Sequence, residues 1–324
     1  MAASGREIFL KFLSGEPLPR PPYVPLLRGI TARIGGVPHR ELTCDATVWA
    51  NSLAKTAELL DLDGVVAGFH FSLLAEACGC TLDWVDDRPV VSPLADKPDP
   101  APLRRGRLAG ALEATRRIFE VAKCKRGCVA AVNGPLTLAG QLFQAQQAEE
   151  GLSELKPALV EVYEEFCKIR PDVVLFMESG PLVAAATAAG GAIPPALKRL
   201  YFTLKKIVSY YDIATAVYVQ DYDPANVAAL AALKMDIYIL GPDREGRPPQ
   251  PETQWALAEN AMGIGLGLCP AGLEDCREIL DGGGRVFREQ PERRFFFTSL
   301  GPVRSGHDPQ VQRELVKQIH QIRR

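Results

Sequence analysis

Eight short apolar runs, each followed by a helical stretch or by a loop leading into one, constrain this chain more than any other feature. They are Tyr23–Leu27, Val65–Phe69, Cys128–Val132, Val173–Met177, Thr215–Val219, Asp236–Leu240, Gly263–Leu268 and Phe295–Thr298. Runs that are apolar on both faces and bounded by turn residues are what buried parallel strands require. Eight of them alternating with helices over 324 residues predict an α/β fold, the (β/α)₈ (TIM) barrel, which typically takes about 250 residues. The remaining length goes to an N-terminal extension, Met1–Arg20, and to an excursion after the second strand. There Leu82-Asp83-Trp84-Val85 and Val90-Val91 flank Asp86-Asp87, the pattern of a β-hairpin. No Ser/Gly-rich or charged linker divides the chain, so residues 1–324 read as one barrel domain.

A hydrophobic content of 47% with 23% charged residues suits a globular protein with a large core. A net charge of −2 gives no reason to expect nucleic acid or an anionic membrane as partner. The N-terminal stretch lacks the apolar core of a signal peptide, and no run reaches the roughly 18 residues of a membrane span. A soluble, cytoplasmic protein is expected. Its eight cysteines follow no disulfide framework, and Cys78-Gly-Cys80 and Cys124-x₃-Cys128 are not zinc spacings. Cys269, beside Pro270, reads either as a core thiol or as a metal thiolate.

Several helices announce themselves. Asp45 precedes Val48–Leu60 as an N-cap, Val160–Ile169 is amphipathic, Pro194-Pro195 opens a helix through Tyr211, and Asp308-Pro309 starts the last one. The Ala-rich stretch Leu182–Ile193, interrupted by Gly190 and Gly191, reads as a rim loop.

In a (β/α)₈ barrel the chemistry lies where the strands end. Arg28 and Arg33 follow the first run, His70 the second and Asn133 through Thr137 the third. Glu178 and Ser179 follow the fourth, Gln220 and Asp221 the fifth, and Ser299 the eighth, with Arg304 and His307 beyond it. Arg28 is suited either to gripping a carboxylate bidentately or to capping barrel carbonyls. His70 is a core histidine or a catalytic group. Glu178, at the end of a buried strand, should have a raised pKa unless paired, which suits a general acid; the alternative is a structural ion pair. Asp221 pairs with Arg28 or orients a substrate. The candidate catalytic set is therefore Glu178, His70 and Asp221. Arg28, Arg33, Asn133, Thr137, Ser179, Gln220, Ser299 and His307 are candidate substrate contacts.

Gly134-Pro-Leu-Thr-Leu-Ala139 resembles the Gly-Pro-Phe-Thr-Leu-Ala segment of the uroporphyrinogen decarboxylase superfamily. Arg20–Arg28, Asp63–Gly79 and Leu300-Gly301 through Asp308-Pro309 agree with it in order and spacing. The resemblance implies a (β/α)₈ barrel, and either porphyrinogen decarboxylation or methyl transfer to or from cobamide proteins. This chain departs from both branches. The decarboxylase's key aspartate falls on His70, or on Leu73 in another register, and its C-terminal histidine falls on Pro302. The zinc-dependent methyltransferases' His-x-Cys falls on Tyr218-Val-Gln220, and their further cysteine on the Ser299–Pro302 region. Zinc activation of a thiol needs such soft ligands, so zinc is not expected unless His70, Glu178, Asp221 and Cys269 make a different site.

The reading is thus a methyltransferase-like member of this superfamily. It would move a methyl group between a small substrate and a folate or a corrinoid carried by a partner protein. The alternatives are decarboxylation of a porphyrinogen or smaller carboxylate, with Arg28 and Arg33 as clamps, and a non-catalytic binding barrel. Substrate and oligomeric state stay open.

Overall fold

The computed structural model describes residues 3–68, 70–85, 88–94, 98, 101–104, 106–143, 148–188, 193–259 and 261–323. Phe69, Asp86-Asp87, Gly190 and Gly191, which figure in the sequence reading, lie outside them. The strands are β1 (Gly64–Ala67), β2 (Thr81–Val85), β3 (Arg88–Ser92), β4 (Gly127–Asn133), β5 (Val173–Glu178), β6 (Ala214–Val219), β7 (Ile237–Leu240), β8 (Gly263–Leu268) and β9 (Phe295–Ser299). Seven of them form one parallel sheet in the order β1-β4-β5-β6-β7-β8-β9, so each pairs with its predecessor across an intervening helical connection. β2 and β3 form the expected antiparallel hairpin, with Trp84 opposite Pro89.

The first apolar run occupies the eighth position but is not a regular strand. Only Tyr23 and Leu27 make bridges, to Phe297 and Val303. Pro22 and Pro25 have no N–H to give a ladder. Irregular bonds close the gap instead. Val24 N–H donates to Phe297 O and Phe297 N–H to Pro22 O on one side, while Asp63 N–H donates to Tyr23 O on the other. Ser299 Oγ accepts from Leu26 N–H at 2.9 Å. A buried ion pair pins this segment. Arg20 forks onto both Asp63 oxygens at 2.6 and 2.7 Å, and Asp63 also accepts from Tyr23 N–H.

The ring encloses a packed core rather than a channel: the void between Phe9, Val24, Val66, Val129, Leu175 and Phe296 is about 10 Å³. The N-terminal extension carries a helix, Gly5–Ser14, whose Phe9 and Phe12 plug the base of the ring. Gly127 admits Phe9, since a Cβ there would lie 2.1 Å from the ring.

Asp45 caps the helix Ala46–Leu59 through Thr47 and Val48 N–H, and Asp308 caps Pro309–Gln321. Pro195–Tyr210 is helical, and the stretch Val160–Ile169 falls largely within the longer helix Ala148–Lys168. The described first part of the stretch read as a rim loop is helical, within Pro181–Ala188: alanine's helix propensity prevails there. No helix is long and apolar enough to cross a membrane among the described residues.

Candidate active site at the barrel rim

The C-terminal ends of the strands surround a pocket of about 320 Å³. Arg28 and Arg304 stand in its wall from the two ends of the ring, Phe71 and Ser72 from the loop after β1, and Pro89 and Val91 from the hairpin. Thr137 and Gln141 come from the helix Pro135–Leu142, Ser179 through Leu182 from the loop after β5, and Gln220 from the loop after β6. A larger hollow of about 740 Å³ opens at the opposite end, between Trp255, Met262 and Arg293 where β8 begins. Barrels of this type carry their chemistry at the strands' C-terminal ends, so the smaller rim pocket is the candidate.

Glu178 ends β5 and is 1% exposed. Its carboxylate receives Leu136 N–H at 3.1 Å, Thr137 N–H at 2.7 Å, the Thr137 hydroxyl at 2.8 Å and the Tyr201 hydroxyl. Two of these donors are free N–H groups at the start of the helix Pro135–Leu142, where negative charge is favoured. Burial pushes the carboxyl pKa up, against the pull of Tyr201, Thr137 and Leu136. Glu178 therefore stands behind the pocket, anchoring Thr137, rather than in its wall.

Asp221 is arranged in the same way. Its backbone is left-handed, with φ 61°, a conformation that aspartate tolerates better than most residues. One carboxylate oxygen accepts the Ser179 hydroxyl at 2.9 Å and Gly180 N–H at 2.8 Å. Gln220 Nε2 donates to Ser179 Oγ at 2.7 Å, and Tyr218 Oη lies 2.9 Å from Gln220 Oε1 and 3.0 Å from Leu300 O.

His70 is the third such group. It is 2% exposed, and its Nδ1 lies 2.8 Å from Ser72 Oγ. Arg107 donates to that same oxygen at 3.1 Å and pairs with Glu76 at 2.9 Å. The His70 ring stacks on His39 at 5.2 Å and lies 6.2 Å from Trp84, over which Arg40 and Arg107 sit at 5.6 and 5.2 Å. Burial, then Arg28, Arg107 and His39, hold its pKa well below the ordinary imidazole value.

The three candidate catalytic residues thus form a layer behind the pocket, each bonded to a hydroxyl in the wall: Glu178 to Thr137, Asp221 to Ser179 and His70 to Ser72. Arg28, Thr137, Ser179 and Gln220 line the pocket directly. The remaining candidates are engaged elsewhere. Arg33 donates to the Ser305 and His307 carbonyls, and Ser299 joins the first segment to β9. His307 Nδ1 accepts Arg304 N–H. Asn133 and Gln141 both donate to Phe71 O, fixing the loop that presents Phe71 and Ser72. The sequence reading did not select Phe71, Ser72, Gln141 or Arg304. Their place a few residues beyond strand ends or, for Gln141, nearly two turns into the helix that follows β4, was the available signal.

The zinc arrangement does not fit this site. Tyr218 and Gln220 hold each other and the Leu300 carbonyl, and neither offers a thiolate or imidazole. Cys269 lies instead near Asp275, at 3.8 Å. Among the described residues no three of His, Cys, Asp and Glu are grouped to hold a metal.

Similarity to known proteins agrees with this architecture. A methyltransferase from Methanosarcina mazei superposes over 98% of this chain and 99% of its own, with a TM-score of 0.73 and 17% identity. A B12-independent methionine synthase from Shewanella sp. W3-18-1, solved with selenomethionine, covers 85% of this chain and 86% of its own, with a TM-score of 0.56 and 14% identity. At such identities these likenesses establish the shared (β/α)₈-type fold. No curated protein matches the sequence significantly. Residues 4–169, just over half of the chain, match the family model for uroporphyrinogen decarboxylase (URO-D), and the chain belongs to that family.

Proposed function

We propose that this protein is a methyltransferase-like enzyme that holds a small, anionic substrate in the rim pocket and exchanges a methyl group with a corrinoid protein or a folate. The observation that carries the reading is the pocket wall. Two guanidinium groups, Arg28 and Arg304, share about 320 Å³ with the Gln220 amide and three hydroxyls fixed from behind. This volume lies near the lower end of small-molecule sites, about 300–1,000 Å³. Arginine suits a carboxylate or phosphate. Gln220 and Ser179, locked to each other, would orient the rest of the substrate, while Phe71, Leu182 and Pro302 exclude water. The structural likeness to a methyltransferase and a methionine synthase supports the choice of reaction.

A corrinoid or folate, when bound, supplies the methyl acceptor or donor. The pocket is too small to enclose a corrinoid macrocycle, so a corrinoid would stay on its carrier and meet the substrate at the rim. No zinc step is included, because the residues at the zinc positions do not fit the metal. Two observations weigh against a porphyrinogen substrate: the size of the pocket, and the lack of a carboxylate at His70 and at Leu73, the two positions on which the decarboxylase's aspartate falls.

The test is a methyl-transfer assay with reduced cobalamin and with tetrahydrofolate against a panel of methylated small acids. Transfer that depends on Arg28 supports the reading. No transfer across the panel, together with conversion of uroporphyrinogen, would replace it.

A further inference from the structure

We propose that Ser72 and His70 form a proton relay opening on the rim pocket, with the Ser72 hydroxyl facing the substrate and His70 holding the proton behind it. The inference deepens the methyl-transfer reading and rests on it for the identity of the reaction.

The geometry assigns the direction of each bond. Arg107 carries only donors, so at 3.1 Å it must donate to Ser72 Oγ. The serine proton is then free to point to His70 Nδ1, 2.8 Å away. Ser72 N–H, 3.4 Å from the same nitrogen, points at it as well and favours Nδ1 as an acceptor. This tautomer follows from the bonding network, and it puts the imidazole hydrogen on Nε2. Nε2 is fully buried and has no hydrogen-bond partner among the described residues. Ser72 lines the pocket and His70 does not, so His70 reaches a ligand only through the serine. A histidine retained for packing would gain from a partner on Nε2, because an unsatisfied buried polar group is destabilising.

The relay balances in both directions. When a substrate hydroxyl, amine or thiol attacks a methyl group, its proton passes to Ser72 Oγ as the serine proton passes to His70 Nδ1. The heteroatom keeps the pair of its broken bond to hydrogen, the methyl group's old bond breaks with its pair staying on the donor, and an imidazolium forms. When a methyl group leaves a heteroatom for an acceptor that supplies the pair of the new bond, the heteroatom keeps the pair of the old bond, the same two proton transfers run backwards, and the leaving atom is protonated.

The surroundings tie the relay to occupancy. The charged and titratable groups acting on His70 are Arg28 from the pocket wall, Arg107 from the start of its helix, and His39 stacked on the ring. Arg40 lies over Trp84, beside both rings, and Glu76 partly offsets Arg107. With the pocket empty, these cations and burial keep His70 neutral. An anion beside Arg28 cancels part of the repulsion, so His70 gains proton affinity only once substrate is present.

Nitrogen-15 NMR of the four imidazoles in the full chain tests this without using the reaction, with acetate as the anion. The expected result for the free protein is an unprotonated Nδ1 and a protonated Nε2 on His70. Acetate should raise the His70 titration midpoint by a tenfold or greater gain in proton affinity, and Ser72→Ala should displace the Nδ1 resonance. A protonated Nδ1 in the free protein, or a His70 that acetate does not move, would overturn the relay. Both measurements use the unmodified chain, so they stand even if Ser72→Ala does not fold. A protein with the coupled titration but no methyl transfer would keep the relay and lose the reaction. Methyl transfer with Nδ1-protonated His70 would do the reverse.

Discussion

Glu178 occupies the space that a side chain at position 134 would need. A Cβ on Gly134 would lie 2.3 Å from the Glu178 carboxyl carbon, and the carboxylate in that space binds the first turn of the helix Pro135–Leu142. Gly134→Ala should force the carboxylate off Leu136 and Thr137. Overpacking of this kind costs about 1–3 kcal/mol, and the loss of the anchored helix start adds to it. Urea unfolding should show a lower midpoint, and any ligand that contacts Thr137 should bind more weakly.

The same carboxylate sets a pH dependence. Burial raises the folded-state pKa of Glu178 above its unfolded value. Its contribution to stability is therefore full below the ordinary glutamate value, about 4.3, and is lost as pH rises through the folded value. Glu178→Gln removes the titration. The difference in unfolding free energy, wild type minus Gln, should fall as pH rises from about 4; urea titrations at several pH values measure it. A difference that rises over that window would mean the four donors outweigh burial.

Arg20 and Asp63 make the opposite case, at the closure of the ring. Burial alone would raise the Asp63 carboxyl, but bonds from Arg20 and Tyr23 N–H, with His320 Nε2 at 3.8 Å, hold it below the usual carboxylate range. Its contribution is present above the unfolded value and lost as pH falls through the folded one. Arg20→Ala strands a buried charge, which costs about 3–5 kcal/mol. It should also unseat the segment that fills the eighth position. Unfolding should shift to lower urea, and hydrogen exchange should rise at Val24 and Phe297 first.

The strand ladder was legible in the sequence because a parallel strand buried on both faces needs an uninterrupted apolar run, and β4, β5 and β8 show this plainly. The first run was legible as a position in the ring but not as an irregular segment, since its prolines delete donors without altering its hydropathy. For the site, the rim position of a residue could be read and the direction of its side chain could not. Glu178 and Ser179 are neighbours in sequence, yet one anchors a helix from behind while the other faces the pocket. What decides between them is Gly134, an absent side chain on another strand's loop. Arg33 and His307 lay close to the rim in sequence, but backbone carbonyls and amides of the final loop claim both.

Arg28 should be the most sensitive position for ligand binding. It lines the pocket together with Arg304, Ser179 and Gln220, and its backbone is fixed to Val303 O at 3.0 Å. Hydrogen bonds to charged groups contribute about 1.5–3 kcal/mol, and each 1.4 kcal/mol is about tenfold. Arg28→Ala should therefore lower affinity for an anionic ligand by about tenfold to a hundredfold. Arg28→Lys should recover part of the loss, because an ammonium keeps the charge but not the planar fork. Gln220→Ala should act differently: it frees Ser179 and Tyr218 without removing charge, so it should weaken discrimination between ligands more than affinity for any one of them. Calorimetry with a series of small carboxylates separates the two effects. Equal losses in both variants would mean that the anion does not sit at Arg28.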